Sequence, residues 1–215
     1  MNILITPGND HLSNILKNKL RGHSVINSKN LSTKNISNFD CLIILSCLKK
    51  CTDPEELNLK IQDIYNTLSS SVESNIKKVI MVSSLEIFDY EENYTVTETW
   101  KTTPKNELTN LSINLAEIIF KEFGRTFMFQ KILLSTGFPI KDNLNDNKNS
   151  CFTTETDFVS AVSKLLDVNL KNQFEIFHLQ SKSDNAKYLT NKIDGADNLS
   201  TDSKDHFYHP RIQEI

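Results

Sequence analysis

An α/β domain built on a parallel sheet is the fold class this sequence predicts, on two observations. Short apolar, β-branched runs alternate with longer segments of helical period, the pattern of a parallel sheet covered by helices on both faces. The chain has 215 residues and no second block of core-forming sequence, so one domain with a sizeable core is expected.

The elements follow in order. A strand over 2–6 (Asn2-Ile3-Leu4-Ile5-Thr6) opens the chain, and Leu12, Ile15, Leu16 and Leu20 then form one face of a helix. Strands are read at 23–27 and 40–46. Asp53-Pro54-Glu55-Glu56 starts the next helix, with acids over the positive end of its dipole and proline early in the first turn. Its apolar stripe is Leu57, Ile61, Ile64, Leu68 and Val72. A strand over 78–83 precedes a third helix with Leu111, Leu115, Ile118 and Ile119 as its stripe and Gly124 as its C-cap. A strand over 127–134, a helix carrying Phe158, Val162, Leu165 and Leu166, and a strand over 174–179 complete a sheet of about six strands. Right-handed crossovers place strand 2–6 centrally, with 23–27 and 40–46 on either side. Residues 141–151 read as a loop. Beyond residue 181 the chain reads as a polar tail, mobile or loosely docked from about 185, because it offers few apolar anchors against the entropy of ordering.

Composition excludes several functions. A net charge of −3, a pI near 6.0 and only three arginines (Arg21, Arg125 and Arg211) provide no field for gathering phosphates, so nucleic acid is not an expected partner. No apolar run reaches the ~20 residues that span a bilayer, and the amino terminus enters a strand without a basic, signal-type region. A cytoplasmic protein without membrane contact is expected. Cys41, Cys47, Cys51 and Cys151 lack CxxC spacing, and the first two sit in or beside an apolar run, which favours buried reduced thiols over metal ligands. His206 and His209 in the tail are too thin a basis for a metal site.

Motif order then adds a resemblance. Met1-Asn2-Ile3-Leu4-Ile5-Thr6-Pro7-Gly8-Asn9-Asp10-His11-Leu12-Ser13, a helix, and Arg21-Gly22-His23-Ser24-Val25 are similar to the first strand, nucleotide loop, helix and second strand of NAD-dependent epimerases and dehydratases. Phe39-Asp40-Cys41-Leu42-Ile43-Ile44-Leu45 resembles the family's fourth strand. Val79-Ile80-Met81-Val82-Ser83-Ser84-Leu85-Glu86-Ile87-Phe88 resembles its fifth, with the catalytic serine at Ser84. Asn114-Leu115-Ala116-Glu117, Leu133-Leu134-Ser135-Thr136-Gly137-Phe138-Pro139 and Thr156-Asp157-Phe158-Val159 resemble later segments in the right order. The chain thus resembles a short, degenerate member of the extended short-chain dehydrogenase/reductase family. The resemblance implies a Rossmann-like domain over 1–180, a reduced substrate lobe, and a tail over 181–215.

For chemistry the resemblance implies losses. The family's three loop glycines fall on Pro7, Asp10 and Ser13, and only Gly8 remains. Proline removes a backbone donor and aspartate adds charge where a diphosphate would lie, each costing on the order of 1 kcal/mol or more. The degenerate loop Gly8, Asn9, Asp10, His11 and Leu12 is where a cofactor would bind. The ribose-binding acid aligns near Lys29. The family's tyrosine and lysine, which exchange a proton near neutral pH, fall on Asn110 and Asn114, whose amides are neither acid nor base. The chain's only Tyr-x-x-x-Lys, Tyr188 to Lys192, lies beyond the last strand, outside the family's catalytic slot. Ser84 remains as a vestigial catalytic position, or as a serine that satisfies backbone groups. The family's third strand and helix, which wall the adenine pocket, are missing or compressed.

Three readings follow. The first is a non-catalytic pseudo-enzyme, a binding or scaffold module with no cofactor. The second is an oxidoreductase or sugar-nucleotide epimerase using NAD or NADP through altered contacts, and the third a binder of another nucleotide or metabolite. A protein partner or a second copy is expected against helices 55–72 and 110–123, where the family dimerises.

Overall fold

The computed structural model describes residues 1–28, 31, 33–89, 95–138, 140–141, 151–182 and 186–196. Six strands form one parallel sheet: β1 (Asn2–Ile5), β2 (Ser24–Asn27), β3 (Cys41–Ile44), β4 (Lys78–Ser84), β5 (Gln130–Thr136) and, after two short strands, β8 (Phe174–Leu179). Their order is β2-β1-β3-β4-β5-β8, so the first strand lies between the next two, as expected. The short strands β6 (Ile140–Lys141) and β7 (Thr153–Thr154) pair with each other outside this sheet.

Side chains alternate faces along each strand, and this sorts the apolar runs into two cores. Ile3, Ile5, Ile43, Ile80, Val82, Ile132 and Leu134 pack with α1 (Asp10–Lys19) and α5 (Glu155–Asp167). Leu4, Leu42, Ile44, Val79, Met81 and Leu133 pack with α3 (Pro54–Glu73) and α4 (Leu108–Thr126). Among the described residues between β2 and β3, α2 (Thr33–Ile36) is the one element, and β2 is the sheet edge, with Ile26 exposed. Asp53 caps α3 by accepting from the Glu56 amide at 2.9 Å, and the Glu56 carboxylate accepts from the Thr52 amide at 2.8 Å.

Four expectations are corrected. The buried face of α4 is Ile113, Ala116, Phe120 and Phe123, whereas Leu115 and Ile118 are 39% and 47% exposed. Gly124 lies inside this helix rather than capping it, and the Phe174 ring occupies the space where its Cβ would stand, at 2.7 Å. Strand β5 begins at Gln130 because Phe127 is still the C-cap of α4, and Lys131 Nζ donates to the Phe127 and Phe129 carbonyls. Finally, part of the supposed tail is packed: Tyr188, Ile193 and Ala196 are buried, and α6 (Asn191–Asp194) rests on β8 and α5. Residues 197–215, with His206 and His209, lie outside the described residues.

Buried lysines tie the layers together. Lys78 Nζ donates to the carbonyls of Leu165, Leu166 and Val168 at 2.6–2.9 Å, satisfying the carboxyl end of α5. Burial holds its pKa below the usual lysine value. Cys41 and Cys47 are buried, and desolvation pushes both thiols up to about 12.

Candidate functional site

Open parallel sheets bind ligands at the carboxyl ends of their strands, where the strand order reverses. Here that point lies between β1 and β3, and the ends of the two strands are tied together beside it. Thr6 Oγ1 accepts from the Leu45 and Ser46 amides at 2.8 and 3.1 Å, pulling the two strand ends together. Gly8 has φ 153°, and a methyl group there would lie 2.5 Å from Ser46 Cα and 2.7 Å from the Leu45 carbonyl oxygen. The remaining loop glycine is therefore required by packing against residues 45–46.

The amino terminus of α1 is likewise occupied. Asn9, not Asp10, is the cap: its Oδ1 accepts from the Leu12 amide at 3.1 Å. Asp10 is exposed in the first turn, its carboxylate over the positive end of the dipole. His11 Nε2 lies 3.3 Å from the Ile140 carbonyl oxygen and 3.4 Å from Glu155 Oε1. Ser13 Oγ is buried without a hydrogen-bond partner among the described residues. A cleft of about 780 Å3 remains beside this loop, lined by Pro7, Gly8 and Asp10, by Ser46 and Lys49, and by one face of α3 from Glu56 to Ser70. Lys29 lies outside the described residues.

At the same carboxyl edge of the sheet, the neighbouring strand β4 delivers Ser84. Its hydroxyl accepts from the Glu86 amide at 3.1 Å and caps the 3-10 turn Leu85–Ile87, which is the backbone-satisfying role. Asn110 is buried on α4, and Asn114 accepts from the Thr102 hydroxyl at 2.5 Å. The α4 side chain that packs against Leu85 is Ile113.

Tyr188 is the residue the sequence places wrongly. Residues 186–189 bring it back over the end of β4, where its hydroxyl donates to the Leu85 carbonyl at 3.0 Å and the Phe88 carbonyl at 3.4 Å. Its ring packs edge-on against Phe88 and His178, with centroids 6.1 and 5.9 Å apart. Burial raises its pKa above the ordinary phenol value. Lys192 does not accompany it: the ammonium donates to Glu175 Oε2 and the Ile176 carbonyl, both at 2.7 Å.

His178 was not singled out by sequence, although the period-2 pattern of β8 puts it on the same face as Ile176. It is fully buried, and neither ring nitrogen is placed for a hydrogen bond among the described residues. Desolvation lowers its pKa to about 4, and Lys192 and Lys121 further disfavour the charge. The mouth above Ser84 thus holds Leu85, Phe88, Val96, Ile113 and Tyr188 as one apolar cluster, with Trp100 and Cys151 at its edge.

The residues present do not fit a dinucleotide held in the way the resemblance implies. The Asn9 side chain takes the Leu12 amide, an acid stands in the first turn of α1, and Tyr188 fills the mouth above Ser84. Among the described residues no group of three metal-ligating side chains occurs, and no helix is long and apolar enough to cross a membrane.

No protein-family model and no curated protein matches the chain. Solved structures do. MoeE5 in complex with UDP-glucuronic acid and NAD superposes with a TM-score of 0.72 over 95% of each chain at 12% identity. Uronate dehydrogenase from Agrobacterium tumefaciens superposes at 0.71, 14% identity, over 94% of this chain and 84% of that one. UDP-glucuronic acid 4-epimerase from Bacillus cereus in complex with NAD superposes at 0.68, 12% identity, over 95% and 92%. The fold is that of these proteins, a Rossmann-like parallel sheet with helices on both faces.

Proposed function

We propose that this chain is a non-catalytic binding module on the fold of the NAD-dependent sugar dehydrogenases and epimerases, with packing in place of acid–base chemistry. One observation carries the reading. The Tyr188 hydroxyl is committed to two backbone carbonyls directly above Ser84, whose own oxygen is committed to the Glu86 amide. A phenol buried in this way, without a lysine beside it, is a poor proton carrier near neutral pH. The ligand of such a module would enter the 780 Å3 cleft between the β1–α1 loop and α3. The test is turnover of NAD or NADP with uronic acids and UDP-glucuronic acid. No turnover is expected from the natural protein or from Ser84→Ala, and turnover abolished by that substitution would overturn the reading.

A second reading, an NAD(P)-dependent oxidoreductase or sugar-nucleotide epimerase with altered contacts, is favoured by the NAD-bound neighbours and by the same cleft. Titration separates the two. We expect no measurable NAD or NADP binding by the natural chain and at most weak binding after Pro7→Gly, Asp10→Gly and Ser13→Gly. Micromolar binding by the natural chain, unchanged by those substitutions, would favour the second reading with the cofactor in another position.

As partner we propose a second copy of the chain. Leu59 and Tyr65 on α3 are each 54% exposed, and with Leu115 and Ile118 on α4 they leave apolar side chains outside the core.

A further inference from the structure

The described part of the C-terminal segment meets the domain without joining its sheet. Strands β4 and β5 pair over seven residues, whereas residues 186–189 join through one isolated parallel bridge, Val96 to Tyr188. The Val96 amide donates to the Lys187 carbonyl and the Leu189 amide to the Val96 carbonyl, both at 2.9 Å. Gln180 Oε1 accepts from the Lys187 and Tyr188 amides at 3.2 and 3.1 Å. Beyond the bridge the apolar anchors are Ile193 and Ala196, and Lys192 pairs with Glu175 at the domain surface. One side chain, Tyr188, enters the mouth.

The mouth treats that side chain as a pocket treats a ligand. Aromatic edges from Phe88 and His178 contact the ring, aliphatic groups from Leu85 and Ile113 surround it, and two carbonyls receive the hydroxyl. Those two carbonyls belong to the turn that Ser84 caps.

We propose that residues 186–196 are a self-docking strap, with Tyr188 as an intramolecular phenolic ligand of the mouth above Ser84. The strap opens independently of the sheet, and any other ligand reaches the mouth only when Tyr188 leaves. The mouth so exposed is apolar with two carbonyl acceptors at its end, and it takes an aryl hydroxyl group. The strap joins through an isolated bridge and side-chain contacts rather than a continuous ladder, so it belongs to a less stable unit than the sheet beneath, which opens with global unfolding. The inference does not depend on which functional reading holds, because its test involves no turnover.

Native-state hydrogen exchange on the full chain is the test, followed at the Val96 and Leu189 amides and, for reference, at the Met81 and Ile132 amides of the sheet. The strap amides should exchange at least 100-fold faster than the sheet amides. Tyr188→Ala should speed them at least another 10-fold and leave the sheet amides unchanged, and Tyr188→Phe, which keeps the ring, should have a smaller effect of the same sign. Adding p-cresol to Tyr188→Ala should shift the emission of Trp100, the only tryptophan and a member of this cluster, and the natural protein should show no such shift. Equal protection of strap and sheet would overturn the proposal. So would loss of the whole fold in Tyr188→Ala together with co-exchange of strap and sheet in Tyr188→Phe, or a failure of p-cresol to bind a folded Tyr188→Ala.

Discussion

Lys60 Nζ donates to Ser112 Oγ at 2.7 Å in the buried seam between α3 and α4, and to the Lys49 carbonyl at the same distance. Burial holds its pKa below the ordinary lysine value. Ser112 in turn donates to the Thr109 carbonyl at 2.7 Å, so the ammonium, the hydroxyl and two carbonyls form one chain.

Removing one member of such a chain costs more than replacing the charge outright, because it leaves a buried ammonium short of an acceptor. Ser112→Ala should destabilise by about 1–3 kcal/mol in urea unfolding. Lys60→Met, similar in length and without the charge, should cost less. The reverse order would show that the seam depends on the ammonium itself.

Gly8 is held by packing on Leu45 and Ser46 rather than by any ligand. Gly8→Ala should therefore destabilise by more than about 2 kcal/mol, since the added methyl meets backbone and the φ is unfavourable for an L side chain. A folded Gly8→Ala protein of unchanged melting temperature would show that the loop is looser than this contact requires.

His178 makes the fold acid-sensitive in a defined window. Its pKa falls from about 6.5 to about 4 on folding, so between those values the unfolded chain binds the proton that the folded chain refuses. Stability falls as the pH falls through that range. His178→Leu should reduce the loss between pH 7 and pH 4.5 by roughly 2–3 kcal/mol, measured by chemical unfolding at each pH. Parallel curves for the two proteins would mean that the imidazole is hydrated.

The exposed side chains of α3 and α4 predict self-association. The natural chain should sediment as a dimer at micromolar concentration, and Leu115→Glu with Ile118→Glu should give a monomer with an unchanged unfolding midpoint at high dilution. A natural chain that is monomeric at every concentration would remove the second copy as a partner.

The number of main strands, the central place of β1, and the burial of β1, β3 and β4 were legible in the sequence, because period-2 and period-3.6 patterns are local consequences of backbone geometry. The phase of α4 was not. Its inward face includes Ala116 and Gly124, and Gly124 lets the helix approach Phe174 of β8, while Leu115 and Ile118 are exposed. Hydrophobicity alone ranks those residues the other way. The destination of Tyr188 was also out of reach. Its hydroxyl bonds to Leu85, 103 residues earlier in the chain, and such a pairing carries no local periodicity. The sequence by itself determined the sheet and its two cores. Only the tertiary structure decided that Tyr188 fills the mouth above Ser84 and that Thr6 and Gly8 pack against residues 45–46 at the ends of β1 and β3, because both depend on distant backbone groups brought together by folding.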